Sequence, residues 1–296
     1  MFIQVSIGIP SYNEHNNIIN LLKSIENQRI PENVLLNEII IYDESTDDTP
    51  KIIENYAASN HSIKIRIISA NTRHGVSFAW NKLLHELTTD FIILLDADVI
   101  LSADFLEKIL HSFTSYENIA LVCCNYEAIS NNTKSSKIST FIGQWLNHVG
   151  SLTPINQFSV IGRAIALDKS KLKHIEIPFD IISADLYLTC KLHENGFSII
   201  KNNNAKIYYK TPNNLNDLYL QTIRGIKGHR ELKLHVDNLP YNITFLRQIY
   251  HSIQLIIGNK FNASLTLLFL LLLPFYWFIT PNEETSNIWK TSKSTK

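Results

Sequence analysis

Several of the simplest site signatures are missing from this chain of 296 residues. Three cysteines, Cys123, Cys124 and Cys190, two of them adjacent and the total odd, make no disulfide framework and suit a reducing compartment. No zinc spacing is present. Charge excess is absent too: Lys+Arg and Asp+Glu both number 27. No general polyanion-binding surface follows, and nucleic acid is not an expected partner. The opening "MFIQVSIGIP" has neither a basic leader nor a long apolar core, so it reads as a strand and not a signal peptide. No repeat or low-complexity tract precedes the tail. What is present is a 45% share of hydrophobic residues, enough for one large α/β domain with appendages or for two small domains.

The first two-fifths alternate strand and helix. "QVSIGIP" is a short apolar run ending at proline, and "NNIINLLKSIEN" sets Ile18, Leu21, Leu22 and Ile25 at helical spacing. "NEIIIYD" is a second strand, and "DDTPKIIENYAAS" opens a helix with Thr49 as N-cap and Pro50 at its first position. "SIKIRIIS" alternates, with Ile63, Ile65 and Ile67 on one face. "GVSFAWNKLLHEL" is a helix with Leu83, Leu84 and Leu87 inward, and "FIILLDAD" is the next strand. Repeated βα units with apolar strands predict a largely parallel sheet covered by helices. Ligands of such sheets bind beyond the carboxyl ends of the strands.

Asp96 and Asp98 lie at such an end, separated by one alanine. If the chain is extended there, both point to one side. Two carboxylates about 5 Å apart at an effective dielectric near 20 repel by roughly 3 kcal/mol. A divalent cation reverses that sign, and carboxylates suit Mg²⁺ and Mn²⁺; a strand-end turn with two solvated aspartates is the plainer alternative. Three more polar segments converge on the same edge: "PSYNE" after the first strand, "YDESTDDT" after the second, "NTRHGVSFAWN" after the third.

With "IPSYNE", "IIIYDESTDDT", "GVSFAWN" and "LLDAD" in this order, the chain resembles the inverting family 2 glycosyltransferases over roughly residues 1–230. The resemblance implies the GT-A (Rossmann-like) fold, a mixed, mostly parallel sheet with flanking helices. It implies a UDP- or GDP-sugar donor and a divalent metal, Mg²⁺ or Mn²⁺. Pro10, Tyr12 and Glu14 match the first nucleotide-contacting loop, Asp43 a base-contacting acid, and Gly75 and Asn81 the loop and helix near the donor. Tyr42 replaces the first acid of a usual pair. Trp80 stands where many members carry arginine, so that contact is either missing or replaced, with Arg73 as the candidate. Asp96 would face ribose and metal, and Asp98 would ligate the metal.

"FDIISADLYLTCKLHENGF" resembles the acceptor-side segment and supplies Asp185 as general base, with Leu188, Lys191 and Gly196 at matching places and Ala184 replacing a usual glutamate. An ordinary first-turn acid of a helix is the plainer reading of Asp185. "FSVIGRAIALDKSKL" reads as a strand pair and turn, with Gly162 and Arg163 as candidate acceptor or phosphate contacts. Gln221 and Arg224 resemble a Gln-x-x-Arg-Trp element, but Gly225 takes the tryptophan position, which leans towards transfer of a single sugar. His193, His229 and His235 show no ligand spacing.

Residues Ala263 to Thr280 carry no charge, and a helix rising about 1.5 Å per residue would span roughly 27 Å there. Residues 243–257 place Phe245, Ile249, Ile253 and Ile256 on one face, an interfacial helix. The expected organisation is a catalytic domain at 1–235, an interfacial helix at 236–262, a transmembrane or re-entrant segment at 263–280 and a basic tail at 281–296. Lys290, Lys293 and Lys296 favour a re-entrant hairpin at Pro274 that returns the tail to a cytoplasmic catalytic side. Membrane attachment suggests a lipid-linked acceptor or a cell-surface glycan precursor, and Asn131, Asn242 and Asn262 are then incidental glycosylation matches. The rivals are a non-catalytic sugar-nucleotide-binding or scaffolding descendant, favoured by Ala184, Trp80, Tyr42 and Gly225, and a metal-dependent nucleotidyltransferase. The second would need a glycine-rich basic loop that "IPSYNEHNN" does not provide.

Overall fold

The computed structural model describes residues 2–59, 63–153, 158–232, 243–279 and 293–296. The alternation is as expected: β1 (Ile3–Ser11), α1 (Ile18–Glu26), β2 (Val34–Asp43), α2 (Thr49–Ser59), β3 (Lys64–Ser69), α3 (Val76–Glu86) and β4 (Phe91–Leu95). Then come β5 (Val99–Leu101), α4 (Phe105–Ser115), β6 (Ile119–Ile129), α5 (Lys134–Gly150), β7 (Ala164–Asp168), α6 (Ala184–Glu194), β8 (Ser198–Lys210) and α7 (Leu215–Leu232). Two helices follow, α8 (Phe245–Gly258) and α9 (Lys260–Ile279).

The strands form one mixed sheet in the order β3-β2-β1-β4-β7-β6-β8-β5. β3, β2, β1 and β4 run parallel. β7 is antiparallel to both its neighbours, β4 and β6, and Leu95 of β4 lies opposite Ala164 of β7. The start of β7 therefore meets the carboxyl end of β4. "FSVIGRAIALDKSKL" yields only this one strand; a loop precedes it and a 3₁₀ turn, Lys169–Lys171, follows.

The sheet is buried on both faces. Ile93 and Leu95 of β4 join the layer of α1 and α4, with Ile18, Leu21, Phe105 and Ile109. Ile92 and Leu94 face the other layer, with Leu83 of α3 and Leu188 and Leu192 of α6. Ile63, Ile65 and Ile67 pack against the first layer. Gly8 of β1 lets α3 come close: a Cβ there would stand 2.8 Å from Leu94 Cδ2 and 3.3 Å from Leu83 Cβ. Thr49 is the first residue of α2 and not its cap; its amide is capped by Asp47 Oδ1 at 3.0 Å.

A third apolar cluster joins Ile138 of α5 and Leu218, Tyr219 and Ile223 of α7 to Phe269 and Leu273 of α9. One side of α9 is thus buried on the domain, while Leu267, Leu268, Leu271 and Phe275 are exposed. The helix continues through Pro274, so the expected re-entrant turn does not occur there. Proline removes one backbone hydrogen bond, yet the helix runs on to Ile279. Among the described residues no helix is long and apolar enough to cross a membrane. The expected boundary at 235/236, His235, Asn242, Lys290 and residues 281–292 lie outside the described residues.

Candidate active site

The carboxyl ends of β1, β2, β3 and β4, with α3, α6 and α7, line a cavity of about 830 Å³. β4 stops at Leu95, and Asp96, Ala97 and Asp98 follow in a turn rather than in extended chain. Both acids still line the cavity. The Asp96 amide donates to the Arg163 carbonyl at 2.8 Å. Burial, then the charge of Asp98, pushes the Asp96 carboxyl up to about 7, against the pull of Arg163 and Arg224.

Arg163, expected as an acceptor or diphosphate contact, is placed as the counter-cation of this pair. Its Nη1 is 3.8 Å from Asp98 Oδ2, and its guanidinium stacks 4.1 Å from the centre of the Tyr209 ring. Burial works against the charge, but Asp98, Tyr209 and Asp96 hold the guanidinium above its ordinary value.

Glu14 is buried beside them. Burial pushes its carboxyl up to about 6, with Lys296 opposing and Asp98 adding to the rise. Its Oε2 accepts from Asn17 Nδ2 at 2.7 Å. Lys296 donates to the Glu14 carboxylate and, at 2.7 Å, to the Tyr12 carbonyl. The Tyr12 ring carries the Arg73 guanidinium at 3.9 Å, and burial lowers that arginine's pKa. Gly75 enters α3 at φ +94°, a conformation open to glycine, and Glu44 fixes this entry by accepting from the His74 amide at 2.9 Å and the Gly75 amide at 3.3 Å.

Asp185 sits in the first turn of α6, and its Oδ2 accepts from the Gly162 amide at 2.7 Å. Glycine is required at 162 by space: an added Cβ would lie 2.7 Å from Asp185 Cβ.

Of the residues expected from sequence, the cavity wall holds Pro10, Tyr12, Glu14, Gly75, Asp96, Asp98, Arg163, Asp185, Gln221 and Arg224. Three stand off it. Asp43 is buried with its carboxylate on the Ser45 amide and hydroxyl. Asn81 is spent on the backbone, donating to the Ile177 carbonyl at 2.7 Å and accepting from the Ile177 amide at 3.0 Å. Lys191 pairs with Glu194 at 2.7 Å, three residues along its own helix. Sequence reasoning missed Glu44, Tyr126, Tyr209 and the tail residue Lys296, all on the wall. Only Glu44 carried a signal, as an acid beside Asp43 at a strand end.

Among the described residues no three His, Cys, Asp or Glu side chains are grouped to hold a metal ion. The donor set nevertheless fits a hard divalent cation: two carboxylates, one of them disfavoured as an anion by burial and then by the other's charge. Such an ion completes its shell from phosphate oxygens and water.

Comparison with known proteins converges on one family. A profile described as glycosyl transferase family 2 matches residues 6–175, and one described as glycosyl transferase family group 2 matches residues 91–282. A poly-beta-1,6-N-acetyl-D-glucosamine synthase of Staphylococcus epidermidis is 24% identical over 236 residues, covering 78% of this chain and 55% of that protein. The chain thus spans about half the length of the curated relatives it matches. Among solved structures, the mannosyltransferase PcManGT from Pyrobaculum calidifontis, in complex with GDP-Man and Mn²⁺, superposes with TM-score 0.63 at 18% identity. It covers 92% of this chain and 75% of that one. S. aureus TarS 1–349 in complex with UDP-GlcNAc gives TM-score 0.55 at 16% identity, covering 84% and 70%. These likenesses show the GT-A fold.

Proposed function

The chain belongs to glycosyl transferase family 2, and we propose that it moves a single sugar from a UDP- or GDP-sugar to a hydroxyl acceptor, with inversion at the anomeric carbon. The observation that carries this reading is the shared wall: Asp96, Asp98 and Asp185 line one cavity. Two consecutive residues, Gly162 and Arg163, hold the acid pair and Asp185 in register.

Asp96 and Asp98 would hold Mg²⁺ or Mn²⁺, which supplies charge compensation to the diphosphate. That compensation counts most as the bond to the leaving group breaks. Arg73 and Arg224, on the same wall, add positive charge on the donor side. Asp185 acts as general base. Its carboxylate takes the acceptor hydroxyl's proton while that oxygen bonds to the anomeric carbon. The bond from that carbon to the diphosphate breaks, the nucleoside diphosphate leaves from the opposite face, and the proton ends on Asp185. The Gly162 amide fixes the carboxylate's orientation without taking part.

The acceptor is a lipid-linked saccharide or cell-surface glycan precursor, met at the cytoplasmic side of a membrane. The exposed apolar residues of α8 and α9, among them Leu246, Ile253, Leu268 and Leu271, support membrane contact. A second reading, repeated addition to a growing polymer, is favoured by the likeness to a polysaccharide synthase; product length separates the two.

The test is calorimetric titration of the purified chain with UDP, GDP and their sugar derivatives, with and without Mn²⁺. Metal-dependent binding that is lost in Asp98→Ala, together with sugar transfer to a lipid extract, is the expected result. Absence of binding to all of them sinks the reading.

A further inference from the structure

Residues 293–295 form a short 3₁₀ turn, and Thr295 and Lys296 stand on the wall of the cavity. Two distant parts of the chain hold this segment. Just before α1, Asn17 Nδ2 donates to the Thr295 carbonyl at 2.6 Å and Asn16 Nδ2 to the Lys296 carbonyl at 3.2 Å. At the start of α7, the Ser294 amide donates to Asp217 Oδ2 at 2.8 Å, and the Asn213 amide donates to Ser294 Oγ at 3.0 Å. Thr295 is buried. The segment thus ties the loop after β1 to the helix that carries Gln221 and Arg224.

Lys296 brings a charge to that wall. Its Nζ donates to the Tyr12 carbonyl at 2.7 Å and to the Glu14 carboxylate. Glu14 is 5% exposed, and a carboxylate so buried needs a partner. After burial, the two largest influences on it are Lys296, which favours its charge, and Asp98, which opposes it. Without the lysine, Glu14 would add uncompensated negative charge to the wall it shares with Asp96 and Asp98. A diphosphate is itself an anion and would be repelled. The Tyr12 contact acts separately. The backbone that Lys296 grips carries the ring on which the Arg73 guanidinium rests at 3.9 Å. Such a segment could be a wall or a plug. With it docked, the cavity still measures about 830 Å³, the size of pockets that enclose small ligands. The segment therefore bounds the space and does not fill it.

We propose that residues 294–296 form a wall of the donor site, and that Lys296 is a positioning residue for donor binding: it cancels the charge of Glu14 and fixes the loop that holds Tyr12 beneath Arg73. The assignment rests on the sugar-nucleotide reading of the cavity. It gives Lys296 no part in bond making or proton transfer.

The test compares Lys296→Met, which keeps most of the stem and removes the charge, with Lys296→Arg, which keeps the charge. In the methionine variant, affinity for the better bound of UDP and GDP should fall by about three- to tenfold, and KM for its sugar derivative should rise by the same factor. The arginine variant should stay within about twofold of the unaltered chain. Turnover at saturating donor should not change in either. Because 19% of the lysine side chain is exposed, melting temperature should fall only slightly. A lower melting temperature with unchanged affinity would make the contact structural and overturn the proposal. Tighter binding in Lys296→Met would make the segment a plug and overturn it too. So would a fall in kcat with KM unchanged, or an arginine variant no better than the methionine one. Should Lys296→Met fail to fold, the unaltered protein decides. Amine-reactive labelling of Lys296, read by mass spectrometry, should slow when the nucleoside diphosphate binds; labelling that is unchanged or faster overturns the proposal. Absence of donor binding by the unaltered protein removes the sugar-nucleotide reading and this assignment together, whereas an effect missing only in the variants removes this assignment alone.

Discussion

Asp96 and Asp185 are held by adjacent residues of one loop: the Arg163 carbonyl accepts from the Asp96 amide, and the Gly162 amide donates to the Asp185 carboxylate. Asp96 and Asp185 are thus fixed relative to each other through two consecutive residues. Gly162→Ala would place a methyl against Asp185. Overpacking of this kind costs about 1–3 kcal/mol. We expect a lower melting temperature, a fall in kcat of about tenfold or more for an ångström-scale displacement of the base, and donor affinity kept within a factor of two or so of the unaltered chain's. Calorimetry and initial rates measure all three.

Asp185→Asn keeps an oxygen for the Gly162 amide and removes the base. Turnover should fall by about 10²–10⁴, the usual contribution of a positioned general base. Sugar-nucleotide affinity should be unaffected. Retained turnover would move the base elsewhere.

Arg163→Met should separate the arginine's two partners. The methionine can still pack on Tyr209, but Asp98 loses its counter-charge. The pair is only partly buried, with 16% and 21% of the side chains exposed and 3.8 Å between them, so its loss should cost about 1 kcal/mol rather than the several of a fully buried pair. Because a divalent cation would replace the lost charge, the deficit in melting temperature should shrink on adding Mn²⁺. A deficit that Mn²⁺ leaves untouched would argue that the arginine serves packing alone.

The raised pKa of Asp96 makes a statement about stability. Its carboxyl moves from 3.8 to about 7 on folding, so the folded chain binds its proton more tightly than the unfolded chain does. That contribution is fully present below the unfolded value and is lost as pH rises through about 7. The metal-free protein should therefore lose melting temperature between pH 4 and pH 7 through this group, and Asp96→Asn should flatten the slope. Glu14, raised to about 6, adds a smaller decline of the same sign that survives in the variant. Melting curves over this range, with chelator present, give the comparison.

The outer face of α9 supplies a prediction about surfaces. Leu268, Leu271 and Phe275 are exposed, whereas Phe269 and Leu273 are buried on α5 and α7. Leu268→Glu with Leu271→Glu should weaken co-sedimentation with vesicles by about tenfold or more, since each buried leucine contributes about 1.5–3 kcal/mol of transfer energy. Melting temperature should stay unchanged. Undiminished vesicle binding would direct attention to α8.

Local patterns were legible where neighbours in sequence are neighbours in space. Ile18, Leu21, Leu22 and Ile25 are buried as their helical spacing predicts, and the polar strand ends do converge on one cavity. Other placements depend on partners outside the motif. Asn81 is spent on the backbone of Ile177 and Asp43 on Ser45, partners that a motif match does not weigh. Arg163 was readable as a cation beside the site, but its pairing with Asp98 over Tyr209 depends on strand order. The place of Lys296 against Glu14 and Tyr12 depends on how a distant segment returns to β1.

The reversed strand β7 also bears on the order in which the site is assembled. β1 to β4 pair among themselves using no residue beyond 95, and the acid pair follows within three residues. Arg163, Gly162 and Asp185 arrive only when β7 inserts beside β4. A chain leaving the ribosome N-terminus first therefore has Asp96 and Asp98 in reach well before Asp185. On the proposed mechanism, the residues that hold the donor would thus enter the molecule before the one that acts on the acceptor.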